Sequence, residues 1–123
     1  MSKIMIGIPY LEDEDFNPDN SLKQYVGKGK PVLVMIQGAF CHFCSDAKPA
    51  FQQLASSISS FICVTLQVDG LPSEKQASQR ISKLDSSYRG VPTYFIFDAQ
   101  GRFVKVHQGG RDANSLKMSM QGV

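Results

Sequence analysis

From Cys44 to Ser59 the apolar side chains fall at Ala47, Phe51, Leu54, Ala55 and Ile58. Those intervals place them on one face of an α-helix. Pro49 lies inside this segment. It removes one backbone hydrogen bond, and because the apolar face resumes in register it predicts a kink, not an end. Two stretches show no such period. Pro31–Gln37 and Phe61–Val68 are predominantly apolar runs of strand length, the second rich in β-branched residues. Runs without alternation fit strands covered on both faces. Ile4–Ile8 predicts a further short strand ended by Pro9. Asp19-Asn20-Ser21 offers cap chemistry for a short helix closed by Gly27 and Gly29. Ser73 and Gln76 suggest a capping box for a helix carrying Ala77, Ile81 and Leu84 on one face. Pro92–Phe97 and Phe103–His107 predict strands joined at Asp98-Ala99-Gln100-Gly101 into a hairpin. Gly109-Gly110 then breaks the chain before a last helix, roughly Asp112 to Met120. The order β-α-β-α-β-α-β-β-α predicts an α/β protein. Its central mixed sheet has about five strands, flanked on both faces by about four helices.

Composition changes this picture little. The 123 residues, 42% hydrophobic and 20% charged, predict one domain spanning 1–123 with one real core, and exclude disorder. A net charge of +2 without a basic cluster argues against nucleic acid as a partner. The run Glu12-Asp13-Glu14-Asp15 reads as a solvated loop. No stretch approaches the ~18 apolar residues of a membrane span. The start of the chain lacks the apolar segment and cleavage site of a signal peptide. A cytoplasmic monomer without membrane contact is therefore expected, a processed periplasmic or secreted form being the alternative. Three cysteines are too few, and odd in number, for a secreted disulfide scaffold.

Two of the three form Cys41-His42-Phe43-Cys44, directly after the Pro31–Gln37 run and the connector Gly38-Ala39-Phe40. This places Cys41 at the N-cap of the next helix and Cys44 one turn in. The sulfurs are then close enough for a disulfide. Free N–H groups and the helix dipole favour a thiolate on Cys41. Cys44 should be less exposed and harder to ionise. The pair thus divides the labour of exchange: Cys41 attacks a disulfide, and Cys44 resolves the mixed disulfide. Spacing alone also permits a metal or iron–sulfur site, or no chemistry. Cys63 lies within the second strand run and reads as a buried inert thiol. His107 ends a strand and reads as a surface residue.

The segment Phe40-Cys41-His42-Phe43-Cys44, with Pro49 five residues after the second cysteine, resembles the active-site helix of the thioredoxin-like family. Gly90-Val91-Pro92-Thr93 resembles the family's cis-proline loop, followed, as in that family, by a hairpin and a terminal helix. The likeness covers nearly the whole chain. It implies a thioredoxin fold with Pro92 in cis opposite the cysteine pair, and Val91 presenting its N–H and C=O to an extended substrate. Departures are plain. His42-Phe43 replaces the Gly-Pro of thioredoxins proper, and Phe40 replaces the preceding tryptophan. Met35 and Thr65 stand where the buried carboxylate and its lysine would be, and Ser45 replaces the lysine after the second cysteine. A protonated His42 would stabilise the Cys41 thiolate and tilt the couple toward oxidation. Phe43 would offer apolar contact surface. The resemblance implies a thiol–disulfide oxidoreductase of protein-disulfide reductase or isomerase type. Cys41, Cys44 and His42 would be catalytic, with Phe40, Phe43, Val91 and Pro92 facing substrate. No cofactor beyond the cysteines and no metal is expected. The partners would be protein disulfides and a thiol reductant or oxidant. The alternatives are a metal- or cluster-binding module on Cys41 and Cys44 and a non-catalytic interaction domain.

Overall fold

The computed structural model describes residues 5–123. Four strands form one mixed sheet in the order β2-β1-β3-β4. β1 (Val32–Gln37) lies at its centre, parallel to β2 (Ile62–Gln67) and antiparallel to β3 (Thr93–Phe97). β3 pairs antiparallel with β4 (Phe103–Val106). Every residue of β1 is buried, which is why its sequence shows no alternation. Leu33 and Met35 pack with Phe51 and Leu54 of α2 (His42–Ser57) and Leu116 of α4 (Ala113–Ser119). Val34 and Ile36 pack on the other face with Ala77 and Ile81 of α3 (Pro72–Ser82).

The expected fifth strand is absent from the described residues. Ile4 lies outside them, and from Met5 onward the chain turns at Gly7, where φ is +76°. Tyr10 makes one isolated parallel bridge to Thr65. Pro9 has no N–H to extend a ladder, so pairing stops there. Met5 and Ile8 are still buried in the core; their apolar character marks packing, not a strand.

Other expectations shift for local reasons. The first helix is short, α1 (Gln24–Gly27), and starts after Lys23. Asp19 instead closes a turn, accepting from the Ser21 N–H at 3.0 Å and its hydroxyl at 2.6 Å. α3 begins with Pro72, and the Leu71 N–H donates to Glu74 at 2.8 Å. Ser73 therefore does not cap; its hydroxyl accepts from the Asp13 N–H at 3.1 Å. The acidic run is not a free loop either. Asp13–Asp15 form a 3-10 turn, and Asp13 meets Arg80 of α3 at 2.6 Å. His107 is buried, not a surface residue. Its Nδ1 pairs with the Ser119 hydroxyl and its Nε2 with the Gly110 carbonyl at 2.7 Å, tying β4 to α4. The hairpin turn is as expected: Asp98 accepts from the Gln100 and Arg102 N–H groups at 2.9 Å, and Gly101 takes φ +84°.

Candidate functional site

The site forms where β1 ends. Past Gln37 the chain turns through Gly38–Phe40, and Cys41 caps α2, its Sγ accepting from the Cys44 N–H at 3.1 Å. Cys41 and Cys44 are paired as a disulfide with Cα atoms 5.2 Å apart. Cys41 retains 8% of its surface, whereas Cys44 retains none. Pro49 leaves α2 unbroken over its full 16 residues. The helix carries Phe51 and Leu54 into the core, which anchors the cysteine end.

The register between β1 and β3 sets Ile36 opposite Thr93. That brings the loop before β3 against the cysteines. The Val91–Pro92 bond is cis, and the Val91 carbonyl lies 3.6 Å from Cys41 Sγ. The structure thus brings Cys41, Cys44, Val91 and Pro92 together. Phe40 and Phe43 flank them as exposed rings, at 72% and 63%. His42 is also exposed, and its Nε2 sits 3.3 Å from Asp46 one turn on. Its charge, when present, is shared with that carboxylate.

Several contributors are not evident from the motif. Asp69 follows β2, and its carboxylate accepts from the Ala39 N–H at 3.0 and 3.1 Å. Burial pushes its pKa up, but hydrogen bonds from Ala39, Gln67 and Phe40 outweigh that and hold it below the usual value. Asp69 so clamps the segment entering Cys41. Because β2 runs parallel to β1, both strands deliver their C-terminal ends to the same side, and that topology was the available signal. Lys48, one turn beyond Cys44, is buried. Burial lowers its pKa while Asp69 pulls the other way. Met35 is wholly buried, and Thr65 donates its hydroxyl to the Met35 carbonyl at 2.7 Å. The place of the family's carboxylate and lysine is thus an apolar side chain and a tied hydroxyl. Cys63 is buried, and burial pushes its thiol up to about 12. Among the described residues no three His, Cys, Asp or Glu side chains converge as metal ligands, and no helix is long and apolar enough to cross a membrane.

A mixed sheet between helices, with a cysteine pair capping the helix after its central strand, defines a thioredoxin-fold protein with a redox-type site. Residues 18–121 match the family model described as a thioredoxin-like domain, and the chain belongs to that family. It is 25% identical over 126 residues to thioredoxin-like protein 453L of Invertebrate iridescent virus 6, covering 92% of this chain and 91% of that one. It is 26% identical over 102 residues to protein disulfide-isomerase erp38 of Neurospora crassa, across 83% of this chain but only 27% of that protein's length. Among solved structures, the short form of spinach chloroplast thioredoxin f superimposes with a TM-score of 0.68 at 20% identity, over 98% of this chain and 96% of that one.

Proposed function

We propose that this protein is a thiol–disulfide oxidoreductase acting on protein disulfides. The observation that carries the reading is the unequal burial of a paired Cys41 and Cys44 at the start of α2, beside the Val91 carbonyl. In the reduced protein, N–H groups of the first helical turn face Cys41 and favour its thiolate. That thiolate attacks one sulfur of a substrate disulfide. A new S–S bond forms to Cys41, the substrate bond breaks, and the departing thiolate takes a proton from water. Cys44 then loses its proton and attacks Cys41 Sγ. The Cys41–Cys44 disulfide forms, and the second substrate thiol leaves. Two electrons and two protons pass to the substrate, and an external dithiol returns the protein to its reduced state.

Phe40 and Phe43 supply apolar contact around the point of attack. Val91 offers main-chain hydrogen bonds to an extended segment lying against Pro92. His42 adds positive charge that Asp46 partly offsets. No cofactor beyond the cysteines enters this scheme.

The test is reduction of insulin disulfides by the dithiothreitol-reduced protein. Cys41→Ser should abolish catalysis. Cys44→Ser should accumulate a mixed disulfide that dissolves on adding reductant. A Cys41→Ser variant that traps substrate while Cys44→Ser does not reverses the two roles. Undiminished activity in both variants discards the reading.

A further inference from the structure

Pro92 and Thr93 form one wall of a cleft of about 310 Å³. The other walls are the 87–90 loop and the segment from Val106 to Arg111. Arg89 and Arg111 both line it, and among the described residues its lining carries no carboxylate. His107 also lines it, but both ring nitrogens are engaged, by Ser119 and Gly110. Tyr94 completes the wall, only 3% exposed, and its hydroxyl has no partner among the described residues. With almost none of its oxygen open to the cleft, this hydroxyl belongs to the wall and is not a contact for what the cleft takes up. Burial pushes this hydroxyl up to about 12, while the charge of Arg111 acts against that rise.

Arg111 also stands over the Phe43 ring, 5.9 Å from its centroid, which links the cleft to the cysteine end of α2. On the far side of Arg111 a second cleft of about 290 Å³ contains Asp46 and Asp112. Those acids are already occupied, by His42 and by Ser115. Ser115 is neutral and leaves Asp112 charged, so the acids stand on the Asp46 side of Arg111, whereas the lining of the Pro92 side carries arginine without a carboxylate.

We infer that the Pro92-side cleft is a carboxylate-binding subsite, in which Arg89 and Arg111 receive an acidic group adjoining the disulfide that Cys41 attacks. This rests on the proposed exchange activity. Arg89 Nη1 already donates to the Ser86 and Tyr88 carbonyls at 2.8 and 3.3 Å, which holds that side chain at the cleft and leaves its other N–H groups, with the Arg111 fork, to meet a carboxylate. Both arginines are exposed, so the preference is modest and weakens with salt. The acidic group can belong to a polypeptide or to a small thiol such as glutathione; the chemistry is shared.

The experiment compares three fluorescence-quenched peptide disulfides that differ only in a Glu, Gln or Lys two residues from the attacked cysteine, alongside glutathione disulfide. With reduced wild-type protein, kcat/KM should rank Glu above Gln above Lys. The Glu-to-Lys ratio should be about fivefold at low salt, corresponding to about 1 kcal/mol, and should shrink toward unity in 0.5 M salt, a scale on which exposed charges are largely screened. Arg89→Gln with Arg111→Gln should erase that ratio, Arg111→Lys should keep part of it, and Lys28→Gln, in a distant turn, should leave it intact. Because the ranking and its salt dependence are read on the wild type, a poorly folded variant does not spoil the test. Discrimination among the peptides assigns the subsite to polypeptide substrates. Arginine-dependent turnover of glutathione disulfide alone assigns it to a small thiol. Equal rates for the Glu, Gln and Lys peptides, with glutathione disulfide indifferent to the arginines, overturn the subsite but leave the oxidoreductase reading standing. Failure to reduce any of the four removes both.

Discussion

Cys63 and Cys41 are both cysteines with little exposed surface, yet their surroundings oppose each other. Cys63 sits in β2 among apolar side chains that disfavour its anion, and burial pushes it up to about 12. Cys41 meets the donors of a helix start. Limiting iodoacetamide at pH 7 should therefore label Cys41 first in the reduced protein, then Cys44, and leave Cys63 unmodified until unfolding; peptide mapping reads the order. The raised Cys63 value also has a linkage consequence. Its thiol titrates at 9.0 when unfolded and at about 12 when folded, so its contribution is complete below pH 9 and is lost as pH climbs toward 12. Cys63→Ala should flatten the alkaline fall in stability by up to about 1.4 kcal/mol per pH unit, measured as urea midpoints between pH 8 and 10. His42 differs from both cysteines. Its pairing with Asp46 means that His42→Ala should make the couple more reducing by less than about 30 mV, the equivalent of one pKa unit on Cys41. Asp46→Ala should shift it the opposite way. Redox titration against glutathione at pH 6 and pH 8 separates the two, and identical potentials for both variants would deny His42 any electrostatic role.

At the level of elements, β1, α2 and β2 were legible because burial wrote directly into their patterns: apolar runs for the strands and a single apolar face for the helix. The hairpin was legible through its turn residues. The opening segment misled because Met5 and Ile8 are buried without pairing, and apolar content alone cannot distinguish a strand from a packed loop. Helix starts misled where the capping atom came from elsewhere, as when Glu74 rather than Ser73 received the Leu71 N–H. Of the site, the cysteines, Val91 and Pro92 could be placed from local motifs. Asp69 and Arg111 could not, because only the folded arrangement brings them near; Lys48 lies one helical turn beyond Cys44, but its burial and the pull of Asp69 on it come only with the fold. Two substitutions probe these junctions. Gly101 has φ +84°, and a Cβ there would run into the Leu22 carbonyl. That collision would disturb the bond the Leu22 N–H makes to the Gly101 carbonyl at 2.8 Å. Gly101→Ala should cost about 2 kcal/mol, read by chemical denaturation. Asp69→Ala should free the Ala39 and Phe40 N–H groups. About 1–2 kcal/mol of stability should go with them, and amide exchange at Ala39 and Phe40 should accelerate while Ile36 stays protected.

For the molecule as a whole, the disulfide is not what holds the chain together. It joins residues only three apart in sequence, whereas β1 is sealed between two apolar layers. Closing so short a loop is worth at most about 2 kcal/mol by chain entropy. Dithiothreitol should therefore lower the urea midpoint modestly and leave unfolding cooperative, so the protein can cycle between redox states without loosening. The burial of Cys44 has a further consequence, for how the molecule ages. An oxidant arriving from solvent meets one sulfur, because Cys41 keeps some exposure and Cys44 keeps none. Peroxide would convert the Cys41 thiolate to a sulfenic acid, and the adjacent thiol of Cys44 would capture it at once, expelling water and restoring the ordinary disulfide. Damage and repair thus converge on a single atom. The sulfur withheld from solvent keeps the exposed one from being driven irreversibly to the sulfinic state.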